Sequence, residues 1–179
     1  MNRRQFIYGT TAVAVPILVG CDNGDEPIVR IDDNYPVGPF GATSTAEEVT
    51  VGLDLTGKTA MVTGCNSGLG FETMRVLAMR GAHVIGTGRN LEKASKACSI
   101  VSGKTTPVAL ELSDFDSIIE CSDTVKKLGY PIDILVCNAG INTFDELDLV
   151  NGVERIFAVN HLGHFVLVNR LMPLLKKSK

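Results

Sequence analysis

From residue 58 to residue 175, short apolar runs alternate with stretches of helical periodicity, and this alternation constrains the fold more than any other feature of the 179 residues. Lys58-Thr59-Ala60-Met61-Val62-Thr63 reads as a strand ending at Gly64. Residues 69–80 read as a helix stopped by Gly81, and residues 83–87 as a second strand. Asn90 is placed to cap a helix with Leu91, Ala94 and Ala97 on one face. Residues 107–112 form a third strand; Ser113 then caps a helix with Phe115, Ile118, Ile119, Ser122 and Val125 on one side, ended by Gly129 and Pro131. Residues 132–137 make a fourth strand, apolar on both faces, and residues 151–175 a single long helix. Strands joined through helices require right-handed crossovers, hence a parallel sheet covered on both faces: an α/β, doubly wound architecture.

The turn after the first strand reads Thr63-Gly64-Cys65-Asn66-Ser67-Gly68-Leu69-Gly70. Its glycines permit a tight turn and a close approach of backbone to a ligand, and the helix that follows presents free N–H groups and the positive end of its dipole. A pyrophosphate is the ligand such a strand–turn–helix unit suits; the alternative is a tight turn with no ligand. Strand two ends at Thr87-Gly88-Arg89. An acid at that point, about 20 residues beyond the glycines, would hold the ribose 2′-OH of NAD. Gly88 cannot repel a 2′-phosphate and the Arg89 guanidinium can pair with one, so this reading favours NADP(H) over NAD(H); the alternative is an exposed loop arginine.

The spacing Gly-x-x-x-Gly-x-Gly resembles that of the short-chain dehydrogenase/reductase family, and the resemblance runs from about residue 40 to residue 179. Leu55-Thr56-Gly57-Lys58-Thr59, Gly88-Arg89-Asn90, Cys137-Asn138-Ala139-Gly140 and Val159-Asn160-His161-Leu162-Gly163-His164-Phe165 follow the same family in the same order, with the closest look to its retinol-dehydrogenase-like branch. The resemblance implies a Rossmann-type sheet, incomplete here with strands 1–4 in the order 3-2-1-4. It also implies a nicotinamide cofactor held by Gly64, Asn66, Ser67, Gly68, Leu69, Gly70, Arg89, Asn90, Glu111, Leu112, Asn138, Ala139 and Gly140. Glu111 stands where the family usually has Asp against the adenine amino group, and Ser113 serves equally well as a helix cap alone. Asn160 matches the family's helix Asn, a catalytic position that holds a water in the proton relay; on a helix it shares a face with Ile156, Gly163 and Leu167, directed at the sheet.

The implied chemistry is hydride transfer on an alcohol/carbonyl pair, with a small-molecule substrate and a homo-oligomeric parent as the corresponding partners. It needs a Ser and a Tyr four residues before a Lys. The three tyrosines are Tyr8, Tyr35 and Tyr130, and none has Lys four residues on. The reading is therefore the N-terminal part of an oxidoreductase whose remaining catalytic residues lie beyond Lys179; the alternative is a non-catalytic dinucleotide-binding module tethered to a membrane.

Residues 1–20 read as an address. Asn2-Arg3-Arg4-Gln5-Phe6-Ile7 resembles a twin-arginine export signal, and Leu18-Val19-Gly20-Cys21 a lipobox that would make Cys21 the lipidated anchor, outside the cytoplasm. The apolar run from Phe6 to Gly20 is shorter than the ~20 residues a spanning helix needs. Residues 21–53 form an acidic tether and a short helix capped by Ser44 with Glu47 or Thr45 with Glu48, and residues 54–179 the fold. A net charge of −3 offers no electrostatic footprint for nucleic acid. His161 and His164 lie three apart without an accompanying Cys or acid cluster, so a metal reading is weak. Cys65, Cys98, Cys121 and Cys137 lack disulfide-framework spacing.

Overall fold

The computed structural model describes residues 38–142 and 147–178; the export signal and Cys21 lie outside these residues. Residues 42–179 form one compact unit. Within it run α1 (Ala46–Val49), β1 (Thr59–Val62), α2 (Gly68–Met79), β2 (His83–Gly88), α3 (Leu91–Ser99), β3 (Thr105–Ala109), α4 (Phe115–Leu128) and β4 (Ile134–Val136). A hairpin of β5 (Leu149–Val150) and β6 (Val153–Glu154) follows, then α5 (Arg155–Phe157), a π-helical stretch (Ala158–Gly163) and α6 (His164–Leu175). Among the described residues no helix is long and apolar enough to cross a membrane.

The sheet is parallel in the order β3-β2-β1-β4, as the sequence reading expects. Strand alternation sorts its side chains to two faces. Met61, Ile85 and Val108 point to one side, where Ile118 and Val125 of α4 and Leu167 and Leu171 of α6 close over them. Ala60, Val62 and Val84 point to the other, against Met74 and Ala78 of α2 and Ala97 and Cys98 of α3. β1 and β2 are buried throughout because both neighbours and both faces are covered. β4 is only half-buried: β1 pairs one of its edges, and no described strand pairs the other.

The caps explain most boundaries. Thr45 and Glu48, rather than Ser44 and Glu47, form the capping box of α1, which packs on α2 through the Glu47–Arg75 ion pair (2.6 Å) and the Arg80 bond to the Glu47 carbonyl (2.8 Å). Asn90 Oδ1 accepts from Lys93 N (2.9 Å) at the start of α3, although Leu91 there is exposed. Gly129 ends α4 in the left-handed region.

Three expectations are corrected. Ser113 is not the cap of α4: Asp114 is, accepting from Asp116 N (3.0 Å), while the Ser113 hydroxyl donates to Glu111. β3 lies nearer the N-terminus than residues 107–112, because Thr105 and Thr106 pair with Val84 and Ile85, and past Leu110 the chain turns toward α4. The single helix over 151–175 is broken at its start. Asn151 (φ 53°) and Gly152 (φ 79°) are both left-handed, which builds a type I′ two-residue turn between β5 and β6; helix begins only at Arg155.

At the strands' N-terminal end, Asp133 accepts from Thr59 N (2.9 Å), Lys58 Nζ (3.1 Å) and Ser178 Oγ (2.9 Å). The Thr59 amide bond, aided by Ser178 and Lys58 and opposed by burial, holds this carboxyl below the usual carboxylate range. A folded-state pKa below the unfolded value of about 3.9 stabilises the fold above that pH, and the contribution is lost as pH falls through the folded value. We therefore expect Asp133→Asn to lower the urea midpoint at pH 7 and to differ little from the parent near pH 2; an equal gap at both pH values would contradict this.

Candidate dinucleotide site

All the site residues within the described part lie beyond the C-terminal ends of the parallel strands, where a doubly wound sheet places its ligand crevice. Gly64 (φ 72°) turns the chain out of β1, and Gly68 (φ 61°) begins α2. Asn66, Ser67, Gly68 and Leu69 are exposed, and a Cβ on Gly68 would meet nothing within 4 Å. Ser67 stands at the cap of α2 but makes no side-chain cap bond, so the first-turn N–H groups face open space. Cys65 alone turns inward: its thiol donates to the Val62 carbonyl (3.0 Å), and burial pushes its pKa up to about 12.

Gly70 is the close-packing glycine. A Cβ there would sit 2.3 Å from Asn138 Nδ2 and 2.3 Å from the Gly64 carbonyl oxygen. Asn138 Nδ2 occupies that space to donate to the carbonyls of Thr63 (2.8 Å) and Gly64 (3.4 Å), so the residue after β4 secures the turn after β1. Ala139 N donates to Thr63 Oγ1 (2.9 Å). Gly140 is exposed, and a Cβ on it would lie 3.3 Å from Asn160 Oδ1. These contacts join the glycine turn, the 138–140 loop and Asn160 in one continuous surface.

The turn is also tied to β2: Cys65 N donates to the Thr87 carbonyl (2.7 Å) and Gly64 N to Thr87 Oγ1 (3.4 Å). One residue on, Gly88 is buried, and a Cβ there would stand 3.1 Å from Ala94 N of α3. A side chain at position 88 would crowd the α3 backbone, which would have to give by a few tenths of an ångström. Arg89 is exposed and makes no ion pair with the described residues. Beside the turn, Asn66, Ser67, Phe71, Lys93, Lys96 and Ala97 help line a groove of about 430 Å³.

The other predicted residues also make bonds or contacts within the chain. Glu111 is half-buried and spends Oε1 on Ser113 N (3.1 Å) and Ser113 Oγ (2.8 Å), leaving Oε2 for a ligand. Leu112 is a core residue: a Cβ on Gly163 would come 2.5 Å from its carbonyl oxygen. Asn90 commits its carbonyl oxygen to the α3 cap. Asn160 does not point at the sheet. Within the π-helical stretch its side chain is exposed and grips the backbone of Ile141, Oδ1 accepting from N and Nδ2 donating to O, both at 2.8 Å. The π-helical winding rotates this position away from the face that regular helical spacing assigns it.

The sequence reading weighed His164 only as a weak metal candidate against a surface or packing histidine, and gave Thr63 no role beyond the turn motif. Thr63 Oγ1 and His164 Nε2 are 2.9 Å apart, both residues buried. A hydroxyl directly after the apolar run Ala60-Met61-Val62 was the available signal. His161, by contrast, is an exposed surface ring stacked between Phe157 (5.1 Å) and Phe165 (6.5 Å). No group of three His, Cys, Asp or Glu among the described residues is arranged to hold a metal.

The four described cysteines are free thiols, three buried and Cys137 exposed. Burial raises the thiol pKa of each, to about 12 for Cys65 and Cys121. Accessibility then separates them. Among these four, brief iodoacetamide treatment at pH 8 followed by peptide mass mapping should modify Cys137 first; early labelling of Cys65 or Cys121 would contradict the buried arrangement.

The residues present fit a dinucleotide: an open helix start, glycines that clear the backbone, a free guanidinium and two groove lysines. Comparison with known proteins agrees. Over 158 residues the chain is 39% identical to the human WW domain-containing oxidoreductase, covering 83% of this chain and 38% of that protein. Over 144 residues it is 38% identical to a Brassica napus chloroplastic short-chain dehydrogenase, TIC 32 A, covering 78% and 45%. The chain thus spans less than half the length of these curated relatives. Among solved structures, a 3-ketoacyl-(acyl-carrier-protein) reductase from Brucella melitensis complexed with NADH matches with a TM-score of 0.60 at 30% identity, covering 69% of this chain and 52% of that one. A metagenomic short-chain oxidoreductase in complex with NADP matches with a TM-score of 0.58 at 27% identity, covering 67% and 57%. The short chain dehydrogenase model matches residues 58–179, and with the geometry of the glycine turn this places the chain in the short chain dehydrogenase family.

Proposed function

We propose that this chain is the cofactor-binding part of an NADP(H)-dependent oxidoreductase acting on an alcohol/carbonyl pair, of the retinol-dehydrogenase-like branch. The observation that carries the cofactor preference is the end of β2. Position 88 carries no acid to hold a 2′-hydroxyl, a side chain there would crowd the α3 backbone, and Arg89 stands beside it exposed and unpaired among the described residues. Lys93 and Lys96, in the groove that shares Asn66 and Ser67, add positive charge on the same side. The nicotinamide cofactor, when bound, supplies the hydride chemistry. The chain's own residues bind and orient: the open start of α2 holds phosphate, Arg89 takes the 2′-phosphate, the small residues at 139–140 admit close approach, and Asn160 holds the loop at Ile141.

The 179 residues contain no Tyr-x-x-x-Lys; the second reading is a non-catalytic dinucleotide-binding module tethered to a membrane. Hydride transfer in the first reading therefore concerns a protein that supplies that set. Export by the twin-arginine route and lipidation at Cys21 remain part of the proposal, with homo-oligomerisation of the parent. Loss of fatty-acid labelling in Cys21→Ser supports the anchor; labelling that persists refutes it.

Fluorescence titration tests the cofactor reading. NADPH should bind more tightly than NADH, and Arg89→Ala should weaken NADPH by at least about tenfold while leaving NADH nearly unchanged. Equal NADPH affinity in the variant would end the proposed role of Arg89. Absence of binding by both nucleotides would end the dinucleotide reading for this chain.

A further inference from the structure

The buried His164 lies in a hydrogen-bond circuit that closes on itself. Thr63 Oγ1, at the end of β1, accepts from Ala139 N (2.9 Å). Two residues along the loop, Ile141 is held at both its N–H and its C=O by the Asn160 amide (2.8 Å each). The Asn160 carbonyl lies 3.2 Å from His164 Nδ1, and His164 Nε2 lies 2.9 Å from Thr63 Oγ1, where the circuit began. It joins three separate parts of the site: the end of β1 that leads into the glycine turn, the 138–141 loop, and the π-helical stretch.

The donors and acceptors fix where the protons sit. The Asn160 carbonyl can only accept, so Nδ1 carries a hydrogen. The Thr63 oxygen already receives the Ala139 N–H, and its own hydrogen has two targets: Nε2 at 2.9 Å and the Val136 carbonyl at 3.5 Å. The shorter is a hydrogen bond of ordinary length and the longer marginal. A neutral ring with Nδ1–H and a bare Nε2 meets every requirement. Burial of the ring, 6% exposed, disfavours the imidazolium and lowers its pKa. The His164 backbone N–H bonds to the His161 carbonyl, three residues back, rather than to that of Asn160, its regular helical partner, and the Asn160 carbonyl lies within reach of the ring.

We propose that His164, as the neutral Nδ1–H tautomer, is a positioning residue that locks Asn160 and the 138–141 loop to the end of β1. It touches no ligand itself. Its effect on binding rests on the dinucleotide reading above; its effect on the circuit does not. Asn138 fastens the loop to the turn from outside, through two backbone carbonyls, and His164 fastens it from inside. Without the ring, nothing relates the Asn160–Ile141 pair to Thr63, and the Asn160 hold on Ile141 loosens.

The first measurement needs no variant. A long-range ¹H–¹⁵N spectrum of the ¹⁵N-histidine-labelled protein at pH 7.5 should show one buried histidine with Nδ1 protonated and Nε2 bare, assigned by its disappearance in His164→Phe. The opposite tautomer, or an imidazolium, overturns the proposal. Thr63→Ser should preserve that signature, whereas Thr63→Val, which removes the donor to Nε2, should leave Nδ1 protonated and move the bare Nε2 resonance downfield toward a nitrogen without a hydrogen bond; an unmoved Nε2 resonance in Thr63→Val also overturns the proposal.

The second measurement follows the consequence. His164→Phe keeps the ring's bulk and removes both bonds, and His164→Asn keeps only a donor near Nδ1. In His164→Phe the Asn160 side-chain amide resonances should lose their hydrogen-exchange protection, and NADPH should bind about tenfold more weakly, with His164→Asn intermediate. A purely space-filling histidine would leave both readouts unmoved in His164→Phe. Should His164→Phe fail to fold, the Thr63 pair and His164→Asn decide the matter. If the parent protein binds no NADPH, the functional reading fails while the tautomer and exchange results still judge the circuit.

Discussion

Gly70→Ala should cost the protein its dinucleotide affinity and a large share of its stability. The added methyl would lie 2.3 Å from both Asn138 Nδ2 and the Gly64 carbonyl oxygen. The first could swing away only by surrendering its bonds to Thr63 and Gly64, and the second is backbone in a turn whose shape the ligand site requires. Overpacking of this kind costs about 1–3 kcal/mol, and each lost hydrogen bond about 1 kcal/mol more. Against a typical domain stability of about 5–15 kcal/mol, that is a clear fall in the urea midpoint. Gly68→Ala is the control. Its methyl meets nothing within 4 Å, and only the left-handed φ of 61° opposes it, at about 1 kcal/mol. Equal midpoints for the two variants would refute the close-packing role of Gly70.

The second large effect is expected from Asn138→Asp, which changes almost no volume. The amide's two hydrogens face the carbonyls of Thr63 and Gly64; a carboxylate would turn an oxygen and a negative charge toward both. The loss of two donors, plus repulsion between acceptors in a half-buried site, makes about 3 kcal/mol a reasonable size at pH 7. The charge would also stand beside the proposed pyrophosphate position. Surroundings that disfavour the charged form raise the introduced carboxyl's folded-state pKa above its unfolded value. Its penalty therefore shrinks as pH falls and the group protonates. Chemical denaturation of parent, Asn138→Ala and Asn138→Asp should rank them in that order at pH 7, with the two variants converging near pH 4.5. An aspartate variant as stable as the alanine one at pH 7 would show that Asn138 does not donate as described.

The sheet order and the glycine turn were legible because they rest on local rules: apolar period, glycine spacing and strand–turn–helix context. Asn160 was placed on the correct element and given the wrong direction, because the reading assumed 3.6 residues per turn through a stretch that winds wider. Asn151-Gly152 is a strong hairpin dipeptide and was available in the sequence, but the apolar residues that follow it favoured a long helix. Ser113 lost the cap to its neighbour because its hydroxyl had a nearer acceptor in Glu111. His164 lay beyond local reasoning: its partner Thr63 is 101 residues earlier, and only the folded sheet brings them together.

β4 has one open side among the described residues, and in a parallel sheet that geometry has a direction as well as a cost. Any strand that adds there in parallel runs toward the Val136 end of β4. Whatever residues follow it would then emerge beside Cys137, Asn138 and Gly140, facing Asn160. The exposed ladder of β4 thus acts as an alignment rail: it dictates which end of an incoming segment reaches the nucleotide crevice before any side chain of that segment makes contact.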